Sequence, residues 1–418
     1  MSSRTFAACL SLGCLAVAAA PRVAGGQAPL RSISLDDALR LAASENPSVR
    51  AKTADLQATR ANEITAGLRP NPLASYTAEK FGAGAGTSLE HTATLGQTIE
   101  TGGKRQRRLQ SARAASRVTE YELADVRRQI AFQVKKAFAD VLVARATLTL
   151  AEENLTTIDE LERIQRFRAE RGDISELELT RIQIQRFAFE RDAADARQAM
   201  ATAKIALRAV VGPTALPADF DVVGDLALRE VRLEREDLLR ATLANRPDVL
   251  AVDAARTKAR ADIDLARANA WWDVTPLLEY KRTDANAQTF GFGVAIPLRV
   301  FDRNQGEIAR TRAAAERADA QREAVVNQAL SEVESALVAV QLQRARIAVL
   351  RDTYLPKAEH VRRTVEFAYR RGGFSVLDLL DAQRTYRETA LEYVRAQGNY
   401  WTAIYQLETA VGGSWEAK

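Results

Sequence analysis

The sequence predicts a mainly α fold with a small β part. It reads as two copies of one unit, each a long α-helical hairpin of coiled-coil type preceded by a β-hairpin. Three observations predict this. The 418 residues are 47% hydrophobic and 27% charged but only 6% aromatic, with eleven prolines, which suits long helices better than a turn-rich β fold or a disordered chain. Motifs return at one constant offset: Asp37-Ala38-Leu39-Arg40 as Asp237-Leu238-Leu239-Arg240, Pro47-Ser48-Val49-Arg50-Ala51 as Pro247-Asp248-Val249-Leu250-Ala251, Arg171-Gly172 as Arg371-Gly372, and Val211-Gly212 as Val411-Gly412. Within each unit the hydrophobic period then changes from two to alternating steps of three and four.

Residues 1–26 read as an export signal. Arg4 supplies the positive end, Thr5 to Ala20 an apolar run too short to span a bilayer, and Ala24-Gly25-Gly26 a small-residue cleavage site. Cys9 and Cys14, the only cysteines, lie inside it, so the mature chain carries no disulfide. Ser11-Leu12-Gly13-Cys14 makes a poor acylation site because the apolar run continues past Cys14. Losing Arg4 and Arg22 takes the 59 basic residues to 57 against 54 acidic ones. The two signs are interspersed, which describes a solvated helical surface and not a nucleic-acid site. No later apolar stretch approaches twenty residues, so no transmembrane helix is expected.

The first unit, 27–211, opens with a short helix ending near Asn46-Pro47 and a second running to about Leu68, with the proline well placed as an early helical residue. A β-hairpin follows at about 73–98, its strands parted by Gly82-Ala83-Gly84-Ala85-Gly86. A long helical hairpin fills 103–211. No proline or glycine lies between Gly103 and Arg171, and at about 1.5 Å per residue that stretch makes a helix of about 100 Å. Ile130, Val134, Ala137, Val141, Ala144 and Leu148 give it a coiled-coil seam. An irregular connecting segment, 212–234, leads to the second unit, 235–418. There the β-hairpin is at about 275–298, with Phe290, Phe292, Val294, Ile296 and Leu298 alternating against Gly291, Gly293 and Ala295. Its long hairpin, 304–411, carries the seam Val326, Leu330, Val333, Leu337 and Val340 and is interrupted only by Pro356. Each hairpin reverses at Arg171-Gly172 or Arg371-Gly372, where glycine supplies a left-handed stop. Ser175 to Glu178 and Ser375 to Asp378 then read as capping boxes for the returning helices.

Four strands of about nine to eleven residues are too few to close a barrel, but three copies supply twelve. A closed barrel of that size spans an outer membrane without lipid-exposed strand edges. The expectation is therefore four transmembrane β-strands per chain contributing to a trimeric 12-stranded β-barrel, continued into the periplasm by an α-barrel of helical hairpins. Trp271, Trp272 and Phe301 fall at one end of the second hairpin, where an interfacial aromatic girdle belongs. A tryptophan pair packed into a helix-strand junction accounts for Trp271 and Trp272 equally well.

Ile33-Ser34-Leu35-Asp36-Asp37-Ala38-Leu39 with Asn46-Pro47, Leu68-Arg69-Pro70-Asn71-Pro72, Gln97-Thr98-Ile99-Glu100-Thr101-Gly102-Gly103-Lys104-Arg105, and Tyr369-Arg370-Arg371-Gly372 running into Leu377 to Arg384 resemble the TolC family of outer-membrane efflux proteins. With Tyr354-Leu355-Pro356-Lys357-Ala358-Glu359, the wording looks most like its CzcC-like branch, which serves heavy-metal efflux pumps of the resistance-nodulation-division class. The resemblance covers essentially the whole mature chain. It implies a homotrimeric exit duct among outer-membrane lipids, docked through its periplasmic tips to an adaptor (membrane fusion) protein and an inner-membrane resistance-nodulation-division transporter. Carried onto this chain, the docking tips are Arg171-Gly172-Asp173 and Arg371-Gly372-Gly373. The closed entrance is Tyr369, Glu178, Asp378 and Asp381. Phe374 stands where the family can place an arginine, which removes one locking contact from the pattern.

Simpler readings exist for each of these residues. Glu178 and Asp378 are explained by capping alone, Tyr369 by a place in the helical seam; Asp381 has no capping role. Gly102-Gly103-Lys104 does not make a phosphate loop, because Gly96 is out of register and Arg105 replaces the required Ser or Thr. His91 and His360, the only histidines, read as surface residues, and no metal site, cofactor or catalytic constellation is expected. Two other classes compete with a channel. A periplasmic adaptor predicts one hairpin and a β-rich domain, and a structural rod needs neither the Phe/Gly strand nor an acidic ring. An organic cargo in place of metal cations also fits the residues.

Overall fold

The computed structural model of the chain describes residues 32–80, 89–228, 234–283 and 287–413. The expected export signal and the turns at 82–86 and 284–286 lie outside them. Strand β1 (Ser32–Ile33) leads into α1 (Leu35–Glu45), which Ser34 starts with a full capping box: its hydroxyl accepts from the Asp37 N–H, and the Asp37 carboxylate accepts from the Ser34 N–H. Asn46 then caps α2 (Pro47–Gly67), its side-chain oxygen accepting the Ser48 N–H at 2.9 Å, with Pro47 in the first turn where no N–H is missed. Next come β2 (Leu73–Glu79), β3 (Glu90–Gly96), the 67-residue α3 (Lys104–Glu170), α4 (Glu176–Val211) and β4 (Asp221–Val222). The second unit repeats the order with α5 (Arg235–Asn245), α6 (Pro247–Asn269), β5 (Thr275–Thr283), β6 (Gln288–Ala295), α7 (Gln305–Val349), a π-helical turn (Leu350–Tyr354), α8 (Leu355–Arg370) and α9 (Val376–Val411).

β2, β3 and β6, at seven, seven and eight residues, are shorter than the expected nine to eleven, whereas β5 reaches nine. β6 stops at Ala295 because Pro297 has no N–H to give a ladder and biases Ile296 before it. The four strands form one antiparallel sheet in the order β2-β3-β5-β6. Its register sets Tyr76 opposite Ala93, Ala93 opposite Tyr280, and Tyr280 opposite Phe290. One face therefore carries Tyr76, Leu95, Leu278, Tyr280, Phe290, Phe292 and Val294, with His91 and Arg282 at one end of it. The other carries Ser75, Thr77, Thr92, Thr94, Glu279 and Lys281, with Leu73 and Leu277 at the opposite end. β2 and β6 are the two edges and pair with nothing further among the described residues.

The reading of the sequence missed a second, two-stranded sheet in which β1 pairs in parallel with β4, tying the first described residues to the connecting segment. Ile33 and Val222 are buried beneath it beside Val134, Val141, Leu207 and Phe220. A matching core in the second unit joins Val333, Leu337 and Val340 to Ile404 and Leu407. The two units also clip their returning helices at equivalent places. Asn46 Nδ2 donates to the Val210 carbonyl at 2.7 Å, and Arg246, at the same place in the second unit, donates to the Ala410 carbonyl at 3.1 Å. Burial alone would lower the Arg246 pKa, but Asp248 and Glu332 outweigh it and hold the guanidinium charged.

Two local features connect the sheet to the rods. Lys104, 5% exposed, reaches Asp273 at 2.7 Å, and Asp273 also accepts the Thr101 N–H at 3.0 Å, so one carboxylate joins the β3-to-α3 turn to the α6-to-β5 turn. Gly102 has φ +64°, and a Cβ there would lie 2.9 Å from Trp271; the Thr-Gly-Gly turn is shaped by that indole. In the second rod Pro356 lacks an N–H and its ring would strike the carbonyl four residues back. The helix widens into the π turn 350–354 just ahead of it, whereas α3 runs unbroken.

At the crossing of α3 and α9, a Cβ on Gly398 would lie 2.3 Å from Val143 Cγ2. Gly398→Ala is expected to lower stability by about 1 to 2 kcal/mol despite the better helix propensity of alanine, because the overlap exceeds that gain. Adding Val143→Ala should restore the loss, as read from denaturation midpoints of the extracted protein.

Candidate functional site

The two rod tips are built alike. The Gly172 N–H donates to the Ala169 carbonyl and the Asp173 N–H to the Arg168 carbonyl, each at 2.9 Å. Two hundred residues on, the Gly372 N–H donates to Tyr369 at 3.0 Å and the Gly373 N–H to Ala368 at 2.9 Å. Gly172 and Gly372 both sit at φ +78°, and no atom stands near where a Cβ would lie, so backbone conformation and not space selects glycine there. Arg171 stacks over Phe167 at 4.0 Å and Arg371 over Phe367 at 4.1 Å, which leaves a guanidinium displayed at each exposed tip. The repeated Phe-x-x-x-Arg-Gly spacing would have revealed this stacking in the sequence.

Beyond the turns the two tips diverge. Ser375 and Asp378 form a complete capping box: the Ser375 hydroxyl accepts from the Asp378 N–H, and the carboxylate accepts from the Ser375 N–H at 2.9 Å and hydroxyl at 2.6 Å. Those bonds, the hydroxyl first, hold the Asp378 carboxyl below its ordinary pKa. At the first tip only half of the box exists. The Ser175 hydroxyl accepts from the Glu178 N–H at 3.3 Å, and the Glu178 carboxylate does not return the bond.

Tyr369, half-buried on α8, packs on a small core of Ile158, Ile182, Phe189 and Val376 that joins the two hairpins. Burial raises its pKa; the charge of Arg168 opposes that shift and the charge of Glu178 adds to it. The fold thus places Tyr369 from the second hairpin within the electrostatic reach of Glu178 and Arg168 from the first. Asp378 and Asp381 lie apart from this group, on the exposed face of α9, where Asp381 pairs with Arg384 at 2.8 Å. Phe374 is exposed at the second tip. Trp271, Trp272 and Phe301 are also exposed, Phe301 the most, although one side of Trp271 lies against Gly102.

The motifs did not reveal a second link between the hairpins. Arg387 on α9 reaches Asp192 on α4 at 3.0 Å and lies over the Phe189 ring at 5.0 Å. A pair so distant in sequence leaves no local signal. Among the described residues no three His, Cys, Asp or Glu side chains gather as a metal site, and no helix is long and apolar enough to cross a membrane.

The sign of the pH effect at the second tip follows from Asp378. A carboxyl with a folded pKa below its unfolded value of about 3.9 stabilises the cap fully above that value and loses the contribution as pH falls through the folded pKa. Ser375→Ala should therefore speed amide hydrogen exchange in the first turn of α9 at neutral pH. After correction for intrinsic exchange, the difference from the parent should narrow as pH falls through the folded pKa of Asp378, leaving the part that comes from the Ser375 hydroxyl accepting the Asp378 N–H.

The family model described as outer membrane efflux protein matches residues 38–213 and again 238–413, the same offset as the internal repeat. The chain is 31% identical over 396 residues to the cobalt-zinc-cadmium resistance protein CzcC of Cupriavidus metallidurans, covering 94% of this chain and 92% of that one. It is 25% identical over 427 residues to the outer membrane efflux protein BepC of Brucella suis, covering 99% and 92%. Solved structures share the fold: CusC at TM-score 0.77 and 21% identity over 91% of this chain and 92% of that one, and VceC of Vibrio cholerae at 0.74 and 21% over 91% and 97%. With both halves matched and a relative above 30% identity along nearly its full length, the chain belongs to the outer membrane efflux protein family of TolC-like channels and is an outer-membrane protein, not an enzyme.

Proposed function

We propose that three copies of this chain form the passive exit duct of a tripartite efflux pump that exports heavy-metal cations. The observation that carries the reading is the four-stranded sheet with one mainly apolar face, one mainly polar face and two edges unpaired among the described residues. Within hydrocarbon each unpaired backbone group costs several kcal/mol, and joining β2 of one copy to β6 of the next in a closed ring of three removes both edges. The apolar face then meets lipid, the polar face lines the channel, and Trp271, Trp272 and Phe301 sit near the inner interface. The rods continue the channel into the periplasm, where the stacked arginines of 171–173 and 371–373 present the docking surface for the adaptor, which links the duct to a resistance-nodulation-division transporter. Energy comes from that partner.

Tyr369 of the second hairpin and Glu178 of the first, within electrostatic reach of each other, belong to the entrance. Asp378 and Asp381 from three copies place six carboxylates around the axis, where like charges repel until cations or protons relieve them. The kinship with a cobalt-zinc-cadmium resistance protein supports the metal cargo. With His91 and His360 as its only histidines and Met200 the only methionine after the expected signal, selectivity for the metal is assigned to the partners upstream.

In planar bilayers the extracted protein is expected to conduct as a trimer, and Asp381→Asn to weaken block by di- or trivalent cations added from the periplasmic side; unchanged block removes the acidic ring. Deleting the gene is expected to sensitise cells to zinc, cobalt or cadmium, while sensitivity to hydrophobic drugs alone replaces the metal cargo with an organic one.

A further inference from the structure

The two hairpins do not pack solidly against each other above the tips. Two cavities of about 550 and 300 Å³ lie in the seam between them, and Asn154 and Phe189 line both, so they are adjoining compartments of one site. The larger falls in the size range of small-molecule pockets. Its walls come from both hairpins, with Ile158 and Leu161 of α3 facing Tyr369 of α8 and Leu379 of α9.

Asn154 is the residue that packing does not explain. It stands on α3 in one row with Ile158, Leu161 and Gln165, at the four-three-four spacing of a helical seam. It is 7% exposed, and its Nδ2 is buried with no hydrogen-bond partner. An unpartnered amide at such a position is a net loss to folding, and leucine would fill the seam without it. The broad χ2 well of asparagine lets the amide turn toward either compartment.

Several of the charges lining the cavities are engaged: Arg370 pairs with Glu366 at 2.6 Å, Glu160 with Arg163 at 2.6 Å, and Arg387 with Asp192 at 3.0 Å. Arg168 donates to Gln165 Oε1 at 3.4 Å, so the wall of the larger cavity is mixed, with Ile158, Leu161, Phe189 and Leu379 as its apolar part and Asn154 as a buried donor. We infer that this seam binds a small amphipath: an apolar body between the hairpins, and a carbonyl or ether oxygen accepting the Asn154 Nδ2–H. Such a ligand touches Tyr369 and both hairpins at once, so its occupancy is coupled to how the hairpins sit against each other.

Benzophenone tests this directly, being neutral, apolar and able to accept one hydrogen bond at its ketone. On irradiation the excited ketone takes a hydrogen atom from a nearby C–H and the two carbon radicals join, so no further reactant is needed. The full-length extracted protein would be irradiated with benzophenone and its labelled peptides identified by mass spectrometry. Labelling is expected on peptides spanning 154–165 and 376–383, as well as on the lipid-facing strands. Asn154→Leu, which removes the donor and keeps the bulk, should cut seam labelling about two- to tenfold and leave strand labelling unchanged. Ile164→Trp, which fills the larger cavity from its wall, should abolish seam labelling with the donor still present. Labelling confined to the strands, or seam labelling indifferent to both substitutions, overturns the inference and leaves a cavity that holds only water. Labelling is read on the protein and not on conductance, so failure here is separate from failure of the exit-duct reading.

Discussion

A strand edge inside hydrocarbon has no water to satisfy its N–H and C=O groups, and the single large sheet of this chain ends in two edges, β2 and β6, unpaired among the described residues. In the exit-duct reading the rest of the architecture is subordinate to that constraint. The sheet has to hold a fixed register for its apolar side chains to share a face, because a slip of β6 by one residue would turn Phe290 and Phe292 onto the face of Glu279. It also has to be seated rigidly on the rods. The seating is specific: Asp273 takes both the Lys104 ammonium and the Thr101 N–H, and Trp271 occupies the space that only glycine at 102 leaves free. Lys104 can be buried because its partner carboxylate is there to meet it.

Duplication sets a common plan, and the differences between the copies show where the halves have specialised. Asn46 and Arg246 do the same work of clipping the end of a returning helix with different chemistry, the second needing two carboxylates to keep its charge. The first rod has a continuous helix of 67 residues, while its counterpart is divided by a π turn before Pro356. One serine closes a full capping box and the other only half of one, which leaves the Glu178 carboxylate without the bond that Asp378 has. The carboxylates assigned to the entrance are therefore not equivalent: Asp378 is engaged by the cap, Asp381 by Arg384, and Glu178 faces the neighbourhood of Tyr369.

Much of this was legible in the chain because it is written in local or periodic signals. The repeat offset, the seam residues Val134, Val141, Val333 and Val340, the tip glycines and the alternation along Phe290 to Val294 depend on neighbours a few residues away, and the structure has them where the periods put them. The illegible parts depend on meetings between distant residues. The parallel pairing of β1 with β4, the Asp192–Arg387 link and the closure of Gly398 on Val143 leave no pattern, because each is one contact between segments whose approach is decided by the packing of everything between them. Strand ends were misjudged for a related reason. Ile296 and Leu298 continue the alternation beyond the point at which Pro297 ends the ladder.

The sequence by itself determined the class of molecule: two α-helical hairpins with a β-hairpin each, in an order and wording that mark an outer-membrane efflux channel. Hydrophobic period, caps and left-handed glycines act through bonds and contacts within one or two turns, so they are specified before the chain folds. The tertiary structure alone decided which carboxylates are capped or paired, and that a buried asparagine faces an unfilled seam. Charge state and hydrogen-bond satisfaction are set by what arrives from elsewhere in the chain, and no local pattern carries that information.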